Sequence, residues 1–369
     1  MEFRWTRIVL LGAAAACGPE IDAPNAWDRF DLAYLAVDAD GSRRVRLTDL
    51  DGTETVDLAT DAVASDGIAW APRGDQIAYL TAIPPTPYGD GWFVRSVSDE
   101  GDRELGRAHR TTHYEGTPPS VALLSWSPDG DHVAVIGPGG SWSFQCSMDA
   151  LQLWVLALDD DDDAEAEPVA SDVDEAAPVW SADGRGFMYG HHDLICGDDF
   201  SLADFGWNVR AHSIDRDDPV DDVDRVHQHD EWGPVWSPLD DLVAYNSGSR
   251  SDPIGEWEIV IEDPAAGIVS RIASAGCRLE ATAWFPDGAR LLARRACGAE
   301  FGHVVLDVTG GAVVHELPDL GRTVALSPDG EQIAFVRATD DGPQVMRFEL
   351  AGDRSIGVGG GTAPAWRPR

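Results

Sequence analysis

LLSWSPDGDHVAVI, residues 123–136, decides the fold. An apolar stretch ends at Trp126, runs into Ser127-Pro128-Asp129-Gly130, and gives way to a second apolar stretch after His132. Each turn residue has its own reason to be there: proline presets one dihedral, aspartate bonds its own backbone, and glycine accepts positive φ. The unit recurs as GIAWAPRGDQIAYL (67–80), APVWSADGRGFMYG (177–190), GPVWSPLDDLVAYN (233–246), ATAWFPDGARLLAR (281–294) and TVALSPDGEQIAFV (323–336). The last residues, APAWRPR (363–369), repeat its opening half. Trp70, Trp126, Trp180, Trp236, Trp284, Leu326 and Trp366 are thus equivalent, at intervals of 56, 54, 56, 48, 42 and 40 residues.

A further apolar run follows in every unit: WFVRSV (92–97), LWVLAL (153–158), WNVRAH (207–212), WEIVIE (257–262), HVVLDV (303–308) and QVMRFE (344–349). A weaker fourth run follows, as in AVVHEL (312–317). Four short antiparallel strands per repeat form the blade of a β-propeller. Residues 30–60 lack the tryptophan strand but hold the other three, and the closing APAWRP supplies the missing one. The expectation is an all-β, seven-bladed propeller of four-stranded blades, its ring closed by the C-terminal strand joining the N-terminal blade. A six-bladed ring is the alternative, with the Leu326 copy serving as linker. Closure removes sheet edges that would otherwise invite aggregation.

These units resemble the WD-like repeats of the TolB family, periplasmic propellers whose signature runs A-W-S-P-D-G-x-x-I-A-F. Ser125 to Gly130 and Leu326 to Gly330 carry it closely, whereas Arg73 replaces the aspartate and Leu239-Asp240 replaces Asp-Gly in two other copies. The resemblance covers residues 30–369 and implies the fold. It does not transfer TolB's role, because propellers host many activities and TolB carries a separate N-terminal domain ahead of its propeller.

Arg4 and Arg7 precede an apolar run, Ile8 to Ala16, and then Cys17. Nine residues rise only ~14 Å as helix, too little to span a bilayer, so residues 1–17 read as an export signal. The small residues before Cys17 resemble the bacterial lipoprotein processing site, with Ala14 where leucine is usual; Cys17 would then carry the lipid. An ordinary cleaved signal and a plain N-terminal helix are the other readings. Residues 18–29 read as a tether and 30–369 as the single propeller domain. The expected location is the cell envelope, lipid-anchored to a bacterial membrane, with a secreted or periplasmic soluble protein as the alternative.

The remaining cysteines, Cys146, Cys196, Cys277 and Cys297, are even in number, as two disulfides in an oxidising compartment require. A hairpin turn centred near Asp287 sets Cys277 opposite Cys297, within disulfide reach. Cys146 and Cys196 fall in the loops between second and third strands of consecutive units, so the expected bonds are 277–297 and 146–196, with buried free thiols as the alternative. Those loops, residues 137–150 and 191–206, hold Trp142, Phe144, Phe200 and Phe205. The aromatics either form a binding face or cover the outer sheet.

Chemistry is sparse. The chain has no G-x-S-x-G elbow, P-loop, dinucleotide fingerprint or H-E-x-x-H motif. His191-His192 and His227-x-His229 have metal-ligand chemistry, so a divalent metal is one reading and hydrogen-bonded loop histidines the other. The run Asp159 to Asp163 lacks calcium-loop spacing and reads as a solvated, self-repelling loop. The chain carries 65 acidic groups against 27 basic ones, a net charge of -38, and no lysine. Nucleic acid is therefore disfavoured as a partner. The expected function is non-catalytic binding of an envelope protein or small ligand on the disulfide-side face. A metal-dependent lyase or hydrolase and a structural envelope protein are the alternatives.

Overall fold

The computed structural model describes residues 27–38, 41–58, 67–86, 89–98, 101–109, 123–138, 151–158, 165–166, 168–171, 173, 177–196, 202–214, 230–248, 257–264 and 266–368. The first strands are β1 (Leu32–Val37), β2 (Arg43–Thr48), β3 (Thr55–Asp57), β4 (Ala69–Trp70), β5 (Gln76–Thr86), β6 (Gly89–Ser98) and β7 (Gly101–His109). There follow β8 (Leu123–Trp126), β9 (His132–Pro138), β10 (Leu151–Ala157), β11 (Glu165–Ala166), β12 (Pro168–Ser171), β13 (Val179–Trp180), β14 (Gly186–Cys196) and β15 (Leu202–Ser213). The last are β16 (Asp230–Trp236), β17 (Val243–Gly248), β18 (Glu258–Asp263), β19 (Gly267–Ile272), β20 (Arg278–Trp284), β21 (Arg290–Cys297), β22 (Glu300–Asp307), β23 (Val313–Leu317), β24 (Val324–Leu326), β25 (Gln332–Thr339), β26 (Gly342–Glu349) and β27 (Arg354–Trp366).

The turn chemistry is realised as the sequence dictates. Ser127 Oγ donates to Asp129 Oδ1 at 2.6 Å, while the Asp131 amide donates to the same carboxylate oxygen at 3.0 Å. The His132 amide donates to Ser127 Oγ at 2.9 Å, which fixes the returning strand. Gly184 shows why the last turn position must be small. Its φ is 72°, and an added Cβ would stand 2.5 Å from Asp129 Oδ2 in the preceding unit's turn.

The central strands are apolar on both sides because each sheet is sandwiched between two others. In β21, Leu291 and Ala293 pack toward β17, β18 and β20, whereas Leu292 packs toward Phe285, Ile333 and Phe335. Burial of each such leucine contributes roughly 1.5–3 kcal/mol. The repeated tryptophan ties neighbouring units together. The indole N–H of Trp284 donates to the Val235 carbonyl at 2.9 Å, and that of Trp366 donates to the Ala325 carbonyl at 2.8 Å.

The expectation of separate four-stranded blades, seven in number, is corrected: the described residues form six sheets of seven, four, five, three, four and four strands. The largest runs β24-β25-β26-β27-β1-β2-β3. It arises because β27 changes partner without breaking. Arg354 to Gly360 pair with β26, and Gly361 to Trp366 pair with β1. Close approach to the buried Tyr34 requires glycine along this crossing, since a Cβ at Gly359 would collide with the Tyr34 hydroxyl. The five-stranded sheet gains its extra member from the next unit, where β11 lies parallel to β7 at the end of the acidic run.

Ring closure occurs as expected, with Leu32 opposite Trp366 and Ala33 opposite Ala365. Arg367 seals the joint. Its guanidinium donates to the Gly74 carbonyl at 2.8 Å, the Trp27 carbonyl at 3.1 Å and the Asp28 carboxylate at 2.7 Å. Trp27, inside the stretch read as a tether, is buried and packs edge-on against Trp70, with ring centroids 5.9 Å apart. No helix among the described residues is long and apolar enough to cross a membrane.

Candidate binding face

First strands start, second strands end and third strands start at one face of the ring, opposite the Ser-Pro-Asp-Gly turns. Cys277 and Cys297 are bridged there, 20 residues apart in sequence, with Cα atoms 4.3 Å apart. The adjacent pairing of Arg278 with Ala296 places the bond at the open end of the β20–β21 hairpin. Closing a loop of this length contributes roughly 2–4 kcal/mol.

Beside the bridge stands a stack that the reading from sequence missed. The Arg278 guanidinium lies 4.5 Å from the Trp257 ring centroid, and Trp257 meets Trp232 edge to face at 4.8 Å and 79°. Arginine over indole contributes about 0.5–2 kcal/mol, depending on desolvation. Asn246, buried, holds the stack from below. Its Nδ2 donates to the Trp232 carbonyl at 3.2 Å, and its Oδ1 accepts the Ala281 amide at 2.6 Å. One side chain thus joins two sheets at the base of the stack. Further out, the Arg294 guanidinium lies 5.4 Å from the ring centroid of Phe301, which is 52% exposed, and 3.7 Å from Glu280. The sequence did carry a signal: Trp92, Trp207 and Trp257 open the third apolar run of three units.

Behind this rim, His303 is buried, and its Nδ1 accepts the Leu320 amide at 3.3 Å. Burial pushes its pKa down to about 4, only partly opposed by the Asp319 charge, so the ring is neutral near pH 7. Burial also pushes His212 down. Neutral imidazoles are metal ligands in principle, but among the described residues no three His, Cys, Asp or Glu side chains could hold one ion.

Two second-to-third-strand hairpins extend on this face. The stretch 191–206 was expected as a long loop, but β14 and β15 continue the ladder, with His191 opposite Asn208, Leu194 opposite Phe205 and Cys196 opposite Leu202. His191 and His192 therefore occupy successive strand positions, which belong to opposite faces of a ribbon. Cys17, Trp142, Phe144, Cys146, Phe200, His227 and His229 lie outside the described residues. The 146–196 pairing and the 227/229 histidine pair lie outside them too.

No protein-family model matches the chain. No curated protein sequence matches it either. Solved structures do. A TolB from Acinetobacter baumannii shares 14% identity and a TM-score of 0.52, over 92% of this chain and 67% of that one. The likeness is one of fold. A periplasmic gluconolactonase, PpgL, from Pseudomonas aeruginosa gives 12% identity and a TM-score of 0.54, over 92% of this chain and 99% of that one. An oligogalacturonate lyase in complex with manganese gives 12% and 0.53, over 89% and 85%. At these identities the matches establish a β-propeller and carry no activity across.

Proposed function

We propose that this chain is an exported, lipid-anchored propeller that binds an envelope protein or small ligand without chemistry of its own. The working surface is the face that carries the Cys277–Cys297 bridge. The single observation behind this reading is the covalently pinned Trp232–Trp257–Arg278 stack beside that bridge. Tryptophan and arginine are enriched among binding hot spots, and the disulfide pins the strand end that carries Arg278 before the partner arrives. Export through residues 1–17 and a lipid on Cys17 accord with the bridge, since disulfides persist in oxidising compartments. The test compares the full chain with Trp257→Ala and Arg278→Ala in capture from envelope extract. A partner held by the parent and lost with both variants supports the reading, and equal capture by all three sinks it.

A metal-dependent lyase or hydrolase using His191, His192, His227 or His229 is the second reading. It draws on the likeness to the manganese-bound lyase and the lactonase over most of their lengths. Metal analysis of the purified chain before and after chelation separates the two, because stoichiometric metal would favour the enzyme. A structural envelope role is what remains if neither metal nor partner is found.

A further inference from the structure

On the outer circumference, away from the disulfide face, β23 is the last strand of its sheet and pairs among the described residues with β22 alone. Natural edge strands are usually blunted by charge, proline or cover. This one instead exposes Val313 (44%) and Val314 (54%). A register shift inserts Val314 between the pairings Leu306–Val313 and Val305–His315, making it the bulged residue. Bulges re-aim a side chain, and this one turns Val314 onto a cavity of about 260 Å³ whose floor is Val305 and Leu350. The rim is formed by Arg290, Asp307 and His315. Two outward carboxylates flank the strand: Glu316, 69% exposed and 3.1 Å from the Arg295 guanidinium, and Asp353, 70% exposed, which meets His315 Nε2 at 3.0 Å.

The molecule already accepts a short extended segment at an equivalent edge, where β11 lies along the outermost strand β7. We propose that β23 is a docking edge for an extended partner peptide that adds as a fifth strand, sets one apolar side chain in the cavity beside Val314, and carries basic residues between its apolar ones. Main-chain bonds to an open edge supply affinity and a pocket for alternate side chains supplies specificity. The basic character follows from the flanking carboxylates and from the net charge of -38. That same charge opposes a second copy of the chain as occupant, because like surfaces repel within a Debye length of about 8 Å at physiological salt.

The probe is the heptapeptide Val-Arg-Val-Arg-Val-Arg-Val, titrated into the full chain by fluorescence anisotropy, with amide hydrogen exchange followed at residues 313–317. Binding with slowed exchange at those amides is expected. Loss on N-methylation of alternate peptide amides, and loss on replacing arginine by glutamate, are expected too. Val314→Arg, at an exposed position that leaves the core intact, should weaken binding by about tenfold or more. Failure to bind, unchanged binding by Val314→Arg, protection elsewhere, or equal affinity for the glutamate peptide would overturn the proposal. So would protection, before any peptide is added, of the amides at 313–317 that do not bond to β22, which would mean that the chain itself or a second copy already covers the edge.

Discussion

Neighbouring repeats are joined in two different ways, and the two kinds of seam alternate. Trp70, Trp180, Trp284 and Trp366 each donate an indole hydrogen bond to the carbonyl just before the equivalent residue of the preceding unit: Ala365, Ser125, Val235 and Ala325. At the intervening seams the bond is missing. Trp126 turns to its own turn and donates to the Gly130 carbonyl at 3.2 Å, the buried Trp236 nitrogen bonds none of the described residues, and Leu326 has no donor. With an odd number of equivalent positions, two bonded seams must fall side by side. They lie on either side of the end of β27 that pairs with β1, one of them inside the seven-stranded sheet. The tryptophan that reads as one repeated motif thus does two jobs, filling every seam but tying only some.

The comparison is broken most severely at the closure. Arg367→Met removes three hydrogen bonds from a largely buried guanidinium, so chemical denaturation should show a loss of about 3 kcal/mol. A smaller loss than that of a surface arginine control would mean the adjacent bonded seams hold without it.

Before the Leu326 strand the Leu320 amide bonds His303 of the preceding unit, and pH tests that contact. An unfolded histidine takes up a proton below about pH 6.5, whereas the folded His303 stays neutral until about pH 4. The unfolded state therefore binds more protons between these values. Stability is full above pH 6.5 and declines as pH falls toward 4, by up to about 3 kcal/mol. His303→Gln, which keeps an acceptor for the Leu320 amide, should flatten that slope in melting curves recorded across the window. Carboxylates such as Asp183, held below the usual range by the Ser181 hydroxyl and the Arg185 amide, add their own loss at still lower pH.

The finest distinction is a pair of Trp→Phe changes. Trp284→Phe deletes the N–H that donates to the Val235 carbonyl, which should cost about 1 kcal/mol beyond the change in shape. Trp236→Phe deletes an N–H that bonds none of the described residues and should cost less. Equal losses in urea titrations would show that the alternation has no energetic content.

Most of the fold could be read because its determinants are local. Ser127, Pro128, Asp129 and Gly130 specify their turn within four residues, and the equivalent turn at Pro286, Asp287 and Gly288 places Cys277 opposite Cys297 without any distant information. The closing strand was readable because APAWRP repeats a pattern met six times before it. What escaped the reading depends on residues brought together from different units. Nothing in WEIVIE announces that Trp257 meets Trp232 and Arg278, and nothing in the Trp126 repeat reveals that its indole bonds its own turn. The stretch after His191 looked like a loop because HHDLICGDDF shows no clean alternation, yet β14 and β15 stay paired there through main-chain register, which an alternating pattern is not needed to form.

The partner change within β27 has a consequence for how the molecule comes into being. Arg367 bonds Trp27 across 340 residues of chain, so the sheet begun by β1 waits for its inner strand until the far end has been made. Contacts of such separation are slow to form and leave an unfinished edge in the meantime. All the intervening units can assemble on their nearest neighbours while β1 remains half-clad. The last residues therefore act as a timing element: the ring has no native closure, and the first sheet no inner strand, until they arrive.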